Sequence, residues 1–418
     1  NKEEEMRQRL IKTAALLLLA TLLVTLSGLA GCAGEEAKVP EITIGVLTDF
    51  TGSASFAVKP TINAMMDYFR MVEEEDPIPG VKIKFITYDT RLDYARVPVG
   101  YVWLKGQGAV MMHVVNPADN EILINRYEED EIPVIGSQVQ PTLLGNAWMF
   151  CFSSSNANET EVLMQWIMDT WPYEEEGRLP KIGHLGWTLM STEYHQEGID
   201  AAREANPGEF DWVGVERVPL GTTTWATEVN RLKNCDFIVV SVVGPMAASF
   251  VREARARGYE GNFLSGINAF PGYWDLVRAA VPKDELYGCY YAGPWPWWNE
   301  DVPYIADLER AIQRYRSGEA EALMRSSGPL TGWCHAMVMA DAIRRAVEEV
   351  GAENVDGTAI RDALAETDME VAGWGNRWRF TAEENFLTRA ERVFEWKVAE
   401  EDWGDPSNWI TPASLAGS

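Results

Sequence analysis

The chain has 418 residues, of which 46% are hydrophobic and 24% are charged, a composition that excludes a largely disordered protein. Its length allows two or three domains of about 150 residues each. With 36 Lys and Arg against 63 Asp and Glu, the formal net charge of -27 repels phosphate backbones and anionic lipid surfaces. Nucleic acid is therefore excluded as a partner, and attachment to a membrane would require a hydrophobic anchor.

The N-terminal segment has the features of such an anchor. Met6 begins a basic stretch that extends to Lys12, and an almost purely apolar run follows from Ala14 to Leu26. This run is shorter than the roughly 20 residues that span a bilayer, and the whole pattern is typical of a secretory signal peptide. We predict a signal peptide over residues 1–31, with translation starting at Met6.

The signal peptide ends in Leu-Ala-Gly-Cys32, which resembles the lipobox of bacterial lipoproteins. In a lipoprotein, Cys32 would become the acylated first residue and residues 32–40 a short tether, so that the protein is extracytoplasmic and held at a membrane by lipid. In the alternative, an ordinary signal peptide, Cys32 is incidental. The remaining cysteines allow zero, one or two disulfides; they are Cys151, Cys235, Cys289 and Cys334.

Short apolar strands alternate with amphipathic helices from residue 42 onward. In the first half the pattern predicts strands at 42–47, 81–88, 108–114 and 132–135, with a helix at 58–75. It restarts after Asn156 with strands at 182–186, 212–218, 237–243, 262–265 and 287–291 and helices at 159–170, 194–205, 225–232 and 246–257. Such βαβ units build parallel sheets, so we predict an α/β fold with two doubly wound lobes.

The composition changes at residues 293–298, which contain three tryptophans. Long helices are predicted at 304–317 and 331–350, and Asp356 is a plausible N-cap of another. A final hairpin is predicted near 378–380 and 392–397. The C-terminal helices are expected to return to the first lobe.

The sequence contains no recognised catalytic motif. It lacks the GxSxG elbow, the P-loop, HExxH and paired CxxC motifs, and Gly106-Gln-Gly108 lacks the third glycine of a dinucleotide fingerprint. None of the four histidines has metal-ligand spacing, and His113 is read as a core residue. We therefore predict no catalytic residue, no metal and no cofactor.

Five segments carry a resemblance to the type I periplasmic binding proteins, the leucine/isoleucine/valine-binding group. The first three are similar to its opening strand and loop, to its second binding loop and to its first crossing between lobes. The segments are Ile42–Gly52 (ITIGVLTDFTG), Ile132–Leu143 (IPVIGSQVQPTL), Phe150–Asn158 (FCFSSSNAN), Gly332–Gly351, and Asp356–Leu364 followed by Gly373–Phe380. Their order and spacing cover residues 40–400.

This resemblance implies a clamshell whose lobes, joined by a multi-strand hinge, close on a small solute. The closed form would deliver the solute to the permease subunits of an ABC importer. The first lobe would comprise residues 41–155 plus about 292–365, and the second 156–291 plus about 366–410. The protein is expected to be a monomer. The alternatives are a branched-chain amino acid binder proper, a ligand-sensing receptor domain and, last, a secreted enzyme.

Binding residues follow from the resemblance position by position. Phe56 matches an aromatic residue that covers the ligand, although it could equally pack under the first helix. Asn116 stands where the family has a serine that binds the ligand carboxylate. Ser137 and Gln138 match a second carboxylate-binding loop, with a plain turn as the alternative. Tyr194 matches an aromatic residue of the second lobe, which otherwise would pack at the start of a helix.

The second lobe departs from the family's pattern. Amino-acid-binding members carry an acidic residue in the loop after strand 262–265, but this loop, which contains Asn268 and Phe270, has none. An α-ammonium buried without a counter-charge is costly. We therefore expect an aromatic or other small carboxylate, or an amide, and we count Asn268, Phe270 and Trp187 among the ligand-binding residues.

The surplus of tryptophan, 17 in all, allows two interpretations at the second crossing. Trp295, Trp297 and Trp298 could stack on a ring-bearing ligand. They could instead cover the hinge or pack against the C-terminal helices, which is the interpretation we favour.

Overall fold

A computed structural model describes residues 2–4, 6–8, 39–52, 54–267, 270–375, 377–381, 383–404 and 406–415. The chain divides into two units, Asn1–Pro40 and Glu41–Ser418. In the first unit, residues 2–4 and 6–8 are helical; most of the predicted signal peptide and Cys32 lie outside the described residues. Within the described part of the chain, no helix is both long and apolar enough to cross a membrane.

The second unit contains 15 described strands. They are β1 (Glu41–Thr48), β2 (Lys82–Asp89), β3 (Ala109–Val114), β4 (Val134–Gln138), β5 (Met149–Ser153), β6 (Lys181–Trp187), β7 (Asp211–Val218), β8 (Phe237–Val240), β9 (Asn262–Ser265), β10 (Cys289–Gly293), β11 (Asp368–Met369), β12 (Trp378–Arg379), β13 (Phe386–Thr388), β14 (Arg392–Lys397) and β15 (Asp402–Gly404). The central strands are buried along nearly their whole length, as expected of parallel strands covered on both faces.

Thirteen described α-helices connect and cover the strands. They are α1 (Ser55–Glu75), α2 (Arg96–Gly106), α3 (Pro117–Glu129), α4 (Asn156–Thr170), α5 (Tyr173–Glu176), α6 (Met190–Ala205), α7 (Ala226–Leu232), α8 (Pro245–Ala256), α9 (Phe270–Ala280), α10 (Pro303–Tyr315), α11 (Ala320–Leu323), α12 (Ser327–Val350) and α13 (Gly357–Ala365). Several begin at a side-chain cap, and α4 begins at a reciprocal capping box made by Ser155 and Asn158.

The strands form two large sheets with the same winding. The first has the order β13-β5-β4-β3-β1-β2 and is parallel throughout. The second has the order β15-β14-β10-β9-β8-β6-β7, in which β14 pairs antiparallel with both β10 and β15. In each sheet the strand order reverses beside the first strand, and ligands of doubly wound sheets bind at the carboxyl ends near such a reversal.

The C-terminal helices pack on the first sheet's side of the molecule. Helix α12 lies against α1, and a Cβ atom added to Gly332 would lie 1.9 Å from the Thr61 carbonyl oxygen. Only glycine permits this approach of the two helices. We call the elements around the first sheet the first lobe and those around the second sheet the second lobe.

Two expectations for the C-terminal segment are wrong. The predicted hairpin does not form, because β12 pairs with β11, whereas β14 pairs with β10 and β15. The strand Phe386–Thr388 joins β5 in the first sheet, although we placed all of 366–410 in the second lobe. The chain therefore crosses between the sheets a third time between Thr388 and Arg392, and the precise lobe boundaries stay a prediction.

Candidate functional site

Elements that follow the carboxyl ends of the two sheets contact each other, and we call the region between the lobes the candidate cleft. At its outer edge, which we call the mouth, the ring of Phe56 packs edge-on against Tyr273 with 4.8 Å between ring centroids. Tyr194 donates a hydrogen bond of 2.9 Å from its hydroxyl to Oε1 of Glu121. Each contact joins one lobe to the other, so the lobes are closed on each other. Phe56 is 42% exposed and lies at the cleft mouth in the first turn of α1.

Asn116 uses its side chain to hold the first turn of α3. Its Oδ1 accepts from the Ala118 amide at 3.2 Å, and its Nδ2 donates to Oδ1 of Asp119 at 3.0 Å. Asp119 is buried, and this burial raises the pKa of its carboxyl to about 7 against the lowering effect of the Asn116 hydrogen bond. The predicted carboxylate-binding position therefore lies beside a buried acid.

Ser137 and Gln138 end strand β4 and are buried. The Ser137 hydroxyl donates to the Val115 carbonyl at 2.7 Å, which ties two neighbouring cleft loops together. Gln138 Nε2 donates to Oε2 of Glu159 at 3.4 Å. Both side chains are therefore buried at the carboxyl end of β4, and their contact with a solute stays a prediction.

The predicted second-lobe residues lie at different depths. Trp187 is half-buried at the end of β6, and its indole N–H points to the Met246 sulfur at 3.1 Å. Phe270 is fully buried, and its ring contacts Trp274 in the core of the lobe. Whether Phe270 contacts a ligand stays a prediction. Asn268 lies outside the described residues.

Removal of the Tyr194 hydroxyl should loosen the closed arrangement. Glu121 Oε1 also accepts from the Thr142 hydroxyl, so Tyr194→Phe removes one of two donors from a half-buried carboxylate. A hydrogen bond of this kind is worth about 1 kcal/mol, so the ratio of closed to open form should fall about fivefold. Small-angle X-ray scattering should show a larger radius of gyration. Tyr173→Phe is the control, because that hydroxyl bonds within the second lobe, and an equal change in both variants would contradict the prediction.

Two buried glutamates that the sequence did not single out lie beneath the cleft. Glu159, in the first turn of α4, is fully buried and accepts from Gln138 and from Asn156 Nδ2, at 3.4 Å each, and from the Ile267 backbone amide. Glu391 lies at the third crossing and is 2% exposed. Neither of its carboxylate oxygens has a hydrogen-bond partner among the described residues.

Both glutamates are held toward the protonated form. Burial raises the pKa of Glu159 to about 7, while its three hydrogen bonds lower it. The pKa of Glu391 lies well above its usual range, first because the group is buried and then because it faces the charge of Glu159. As the pH rises and the two carboxyls lose their protons, negative charge therefore accumulates in the hinge.

Replacement of Glu391 by glutamine should change how stability depends on pH. As the pH rises above 4.5, a carboxyl with a raised pKa in the folded state keeps its proton while the same group in the unfolded chain loses it. The contribution of this carboxyl to the free energy of unfolding therefore falls as the pH rises. Glu391→Gln should therefore gain about 1–3 kcal/mol relative to the native protein from pH 5 to neutrality. Urea unfolding at several pH values measures this gain. The exposed Glu353→Gln is the control, and a gain that is the same at every pH would contradict the prediction.

The crossing tryptophans are packing residues. Trp295, Trp297 and Trp298 are at most 8% exposed. Trp295 stacks on Phe152, and Trp298 donates to the Ser326 carbonyl at 3.0 Å. The interpretation that they cover the hinge is therefore the one that the contacts support.

The four cysteines that the structure describes are buried free thiols, so no disulfide forms among them; they are Cys151, Cys235, Cys289 and Cys334. Burial raises the pKa of each thiol. His113 is a core residue, and its Nε2 lies 2.8 Å from Nδ1 of His335. Among the residues described, no group of three or more His, Cys, Asp or Glu side chains is arranged to hold a metal ion.

Comparison with known proteins gives a consistent result. A family model described as periplasmic binding protein matches residues 41–402. Similar solved structures include a branched chain amino acid ABC transporter from Thermus thermophilus with bound valine (TM-score 0.76, 19% identity, 90% of this chain and 97% of that chain covered). A fatty acid ABC transporter substrate-binding protein from Thermomonospora curvata has TM-score 0.76 and 19% identity, with 91% and 94% covered.

A third similar structure is the branched-chain amino acid transporter substrate binding protein LivJ from Streptococcus pneumoniae in complex with isoleucine. It has TM-score 0.71 and 16% identity, with 89% of this chain and 100% of that chain covered. No curated protein matches the sequence. At these identities the likeness concerns the fold, and the predicted two-lobed α/β clamshell is confirmed.

Proposed function

Because this chain belongs to the periplasmic binding protein family, we propose that it is the solute-binding component of an ABC importer. It captures a small molecule between its lobes and delivers it to the permease. The similar structures are transport proteins whose descriptions name valine, isoleucine and fatty acid. Membership of a family of substrate-binding proteins favours binding over catalysis as the role of the cleft.

The observation that carries this proposal is the closed cleft. Phe56 and Tyr194 contact the opposite lobe at its mouth, while Ser137, Gln138 and Glu159 lie buried at its base. Polar groups that converge inside a cleft between two lobes are the usual arrangement of a small-molecule site. The chain crosses between the sheets three times, which suits closure about a hinge.

The surroundings of Asn116 bear on the solute. Its amide is occupied by the α3 cap and by Asp119, and a buried acid beside it disfavours an anion. Of the solutes expected from the sequence, an amide therefore suits this loop better than an aromatic or other small carboxylate. A branched-chain amino acid and a sensing role remain the alternatives to be tested.

Native mass spectrometry of freshly purified protein, followed by thermal unfolding with a solute panel, tests the proposal. The panel contains branched-chain amino acids, aromatic acids, amides and amines. A solute at 100 times its Kd should stabilise the protein by about 2.7 kcal/mol. Absence of any retained solute, together with no shift by any member of the panel, would contradict solute binding.

The extracytoplasmic location and the lipid anchor are part of the same proposal. Acylation of Cys32 would hold the protein at the cell membrane beside the permease. In cells that express the full chain, Cys32→Ser should move the protein from the membrane fraction to the soluble fraction. Cys235→Ser, a buried thiol in the second lobe, is the control. A Cys32→Ser variant that stays in the membrane fraction would contradict the anchor.

A further inference from the structure

Glu159 joins the two halves of the cleft floor. Its Oε2 accepts from Gln138, which ends β4 of the first lobe. Its Oε1 accepts from the backbone amide of Ile267, in the loop after β9 of the second lobe. A Cβ added to Gly266 would collide with this carboxylate. The acid that the second-lobe loop lacks in sequence is thus supplied to that loop from α4.

Glu391, at the third crossing, lies near enough to Glu159 for the charge of Glu159 to contribute to the raised pKa of its carboxyl, after burial. Its backbone pairs with Ile410, which fixes the residue, and both side-chain oxygens lack partners among the described residues. The two arginines near Glu391 in the sequence form ion pairs with other acids: Arg389 with Glu384 and Arg392 with Glu300. Among the described side chains, no Lys or Arg forms an ion pair with Glu159 or Glu391.

The ionised form of this buried pair is costly without a cation, since buried charges are ordinarily paired. The donor set also indicates what kind of cation fits. Calcium and magnesium require about six oxygen ligands, whereas this site offers two carboxylates, one of them already accepting three N–H groups. The free oxygens of Glu391 are acceptors, and an ammonium presents three N–H donors.

We propose that Glu159 and Glu391 bind a positively charged ammonium group at the base of the cleft. The group belongs to a primary amine in the solute or is a free ammonium ion. This inference rests on the proposed function for the solute cleft of which the site is part. Gln140 offers a further acceptor for N–H groups, because its Oε1 is buried and has no partner among the described residues. Its Nε2 donates to Asn156, which in turn donates to Glu159.

Thermal unfolding of the full chain at neutral pH tests the site with simple probes. Ammonium, methylammonium, tetramethylammonium and sodium chlorides are compared at matched ionic strength. Ammonium or methylammonium should raise the Tm more than tetramethylammonium, which has the same charge but no N–H donor. Methylammonium as the stronger probe indicates an amine-bearing solute, and ammonium alone indicates the free ion. Equal effects of all four salts would overturn the proposal.

Variants then assign the effect to the two acids. Glu391→Gln and Glu159→Gln should each weaken binding of the stronger probe about tenfold or more, measured by calorimetry. Glu161→Gln is the matched control, because it is buried on the same helix but bonds to Ser414. Unchanged binding in Glu391→Gln would overturn the proposal. If the variants do not fold, the comparison of ammonium with tetramethylammonium on the native protein decides alone.

The outcomes separate this inference from the proposed function. Because the salt comparison needs no solute, its result can be interpreted even if no member of the solute panel binds. If a solute binds the native protein and both glutamine variants with equal affinity, the ammonium site is wrong and the solute-binding role stands.

Discussion

Trp297→Ala should lower the free energy of unfolding by about 3–5 kcal/mol, the loss typical of a large buried aromatic side chain. Trp297 is 1% exposed, and its ring packs against Tyr291 and Phe394 in the second lobe. Its indole N–H donates to Oδ1 of Asp402 at 2.9 Å, so the substitution also removes one of the two N–H donors to that oxygen, the other being the Trp403 backbone amide. Urea unfolding followed by tryptophan fluorescence and circular dichroism measures the change.

The matched control is Trp103→Ala. Trp103 is 45% exposed on α2, and its removal should cost less than about 1 kcal/mol. The comparison also decides between the two interpretations of the crossing tryptophans. If Trp297→Ala keeps its stability but loses affinity for the solute, the ring stacks on the ligand and the packing interpretation is wrong.

The regular part of the fold was predictable because buried parallel strands and amphipathic helices leave different periodicities. Helix α2 was missed because Pro98 and Gly100 interrupt its pattern; Gly100 is where Tyr88 and Leu47 approach the helix backbone. The C-terminal pairing was also missed. Whether Trp378–Arg379 pairs with a neighbouring or a distant strand depends on tertiary contacts, and local alternation does not encode them.

The cleft residues were predictable to the extent that they follow strands. Phe56 and Tyr194 reach the mouth because the carboxyl ends of parallel strands meet at one edge of a sheet. Glu159 and Glu391 were not predictable, because they are two of 63 acidic residues and sequence does not show which are buried. One local signal existed for Glu159: the Ser155 and Asn158 capping pair places it in the first turn of a helix at the crossing.

Arg392→Met should destabilise the hinge by about 3 kcal/mol or more, because it leaves a partner carboxylate unpaired in a largely buried site. Arg392 is 7% exposed and binds Glu300 through both terminal nitrogens, at 2.8 and 2.7 Å. It also donates to the Trp295 carbonyl at 3.3 Å. These bonds fasten the second crossing to the third, so urea unfolding should shift to lower concentration and solute affinity should fall with it.

Arg310→Met provides the matched control, since Arg310 pairs with Glu75 in an exposed site and its loss should cost less than about 1 kcal/mol. The double variant Arg392→Met with Glu300→Gln should recover part of the lost stability, because it removes the charge that the single variant leaves unpaired. Equal losses for Arg392→Met and Arg310→Met would show that the buried pair contributes no more than a surface pair. In that event the tie between the crossings would rest on the packing of the tryptophans, and Trp297→Ala would then be the variant that loosens the hinge.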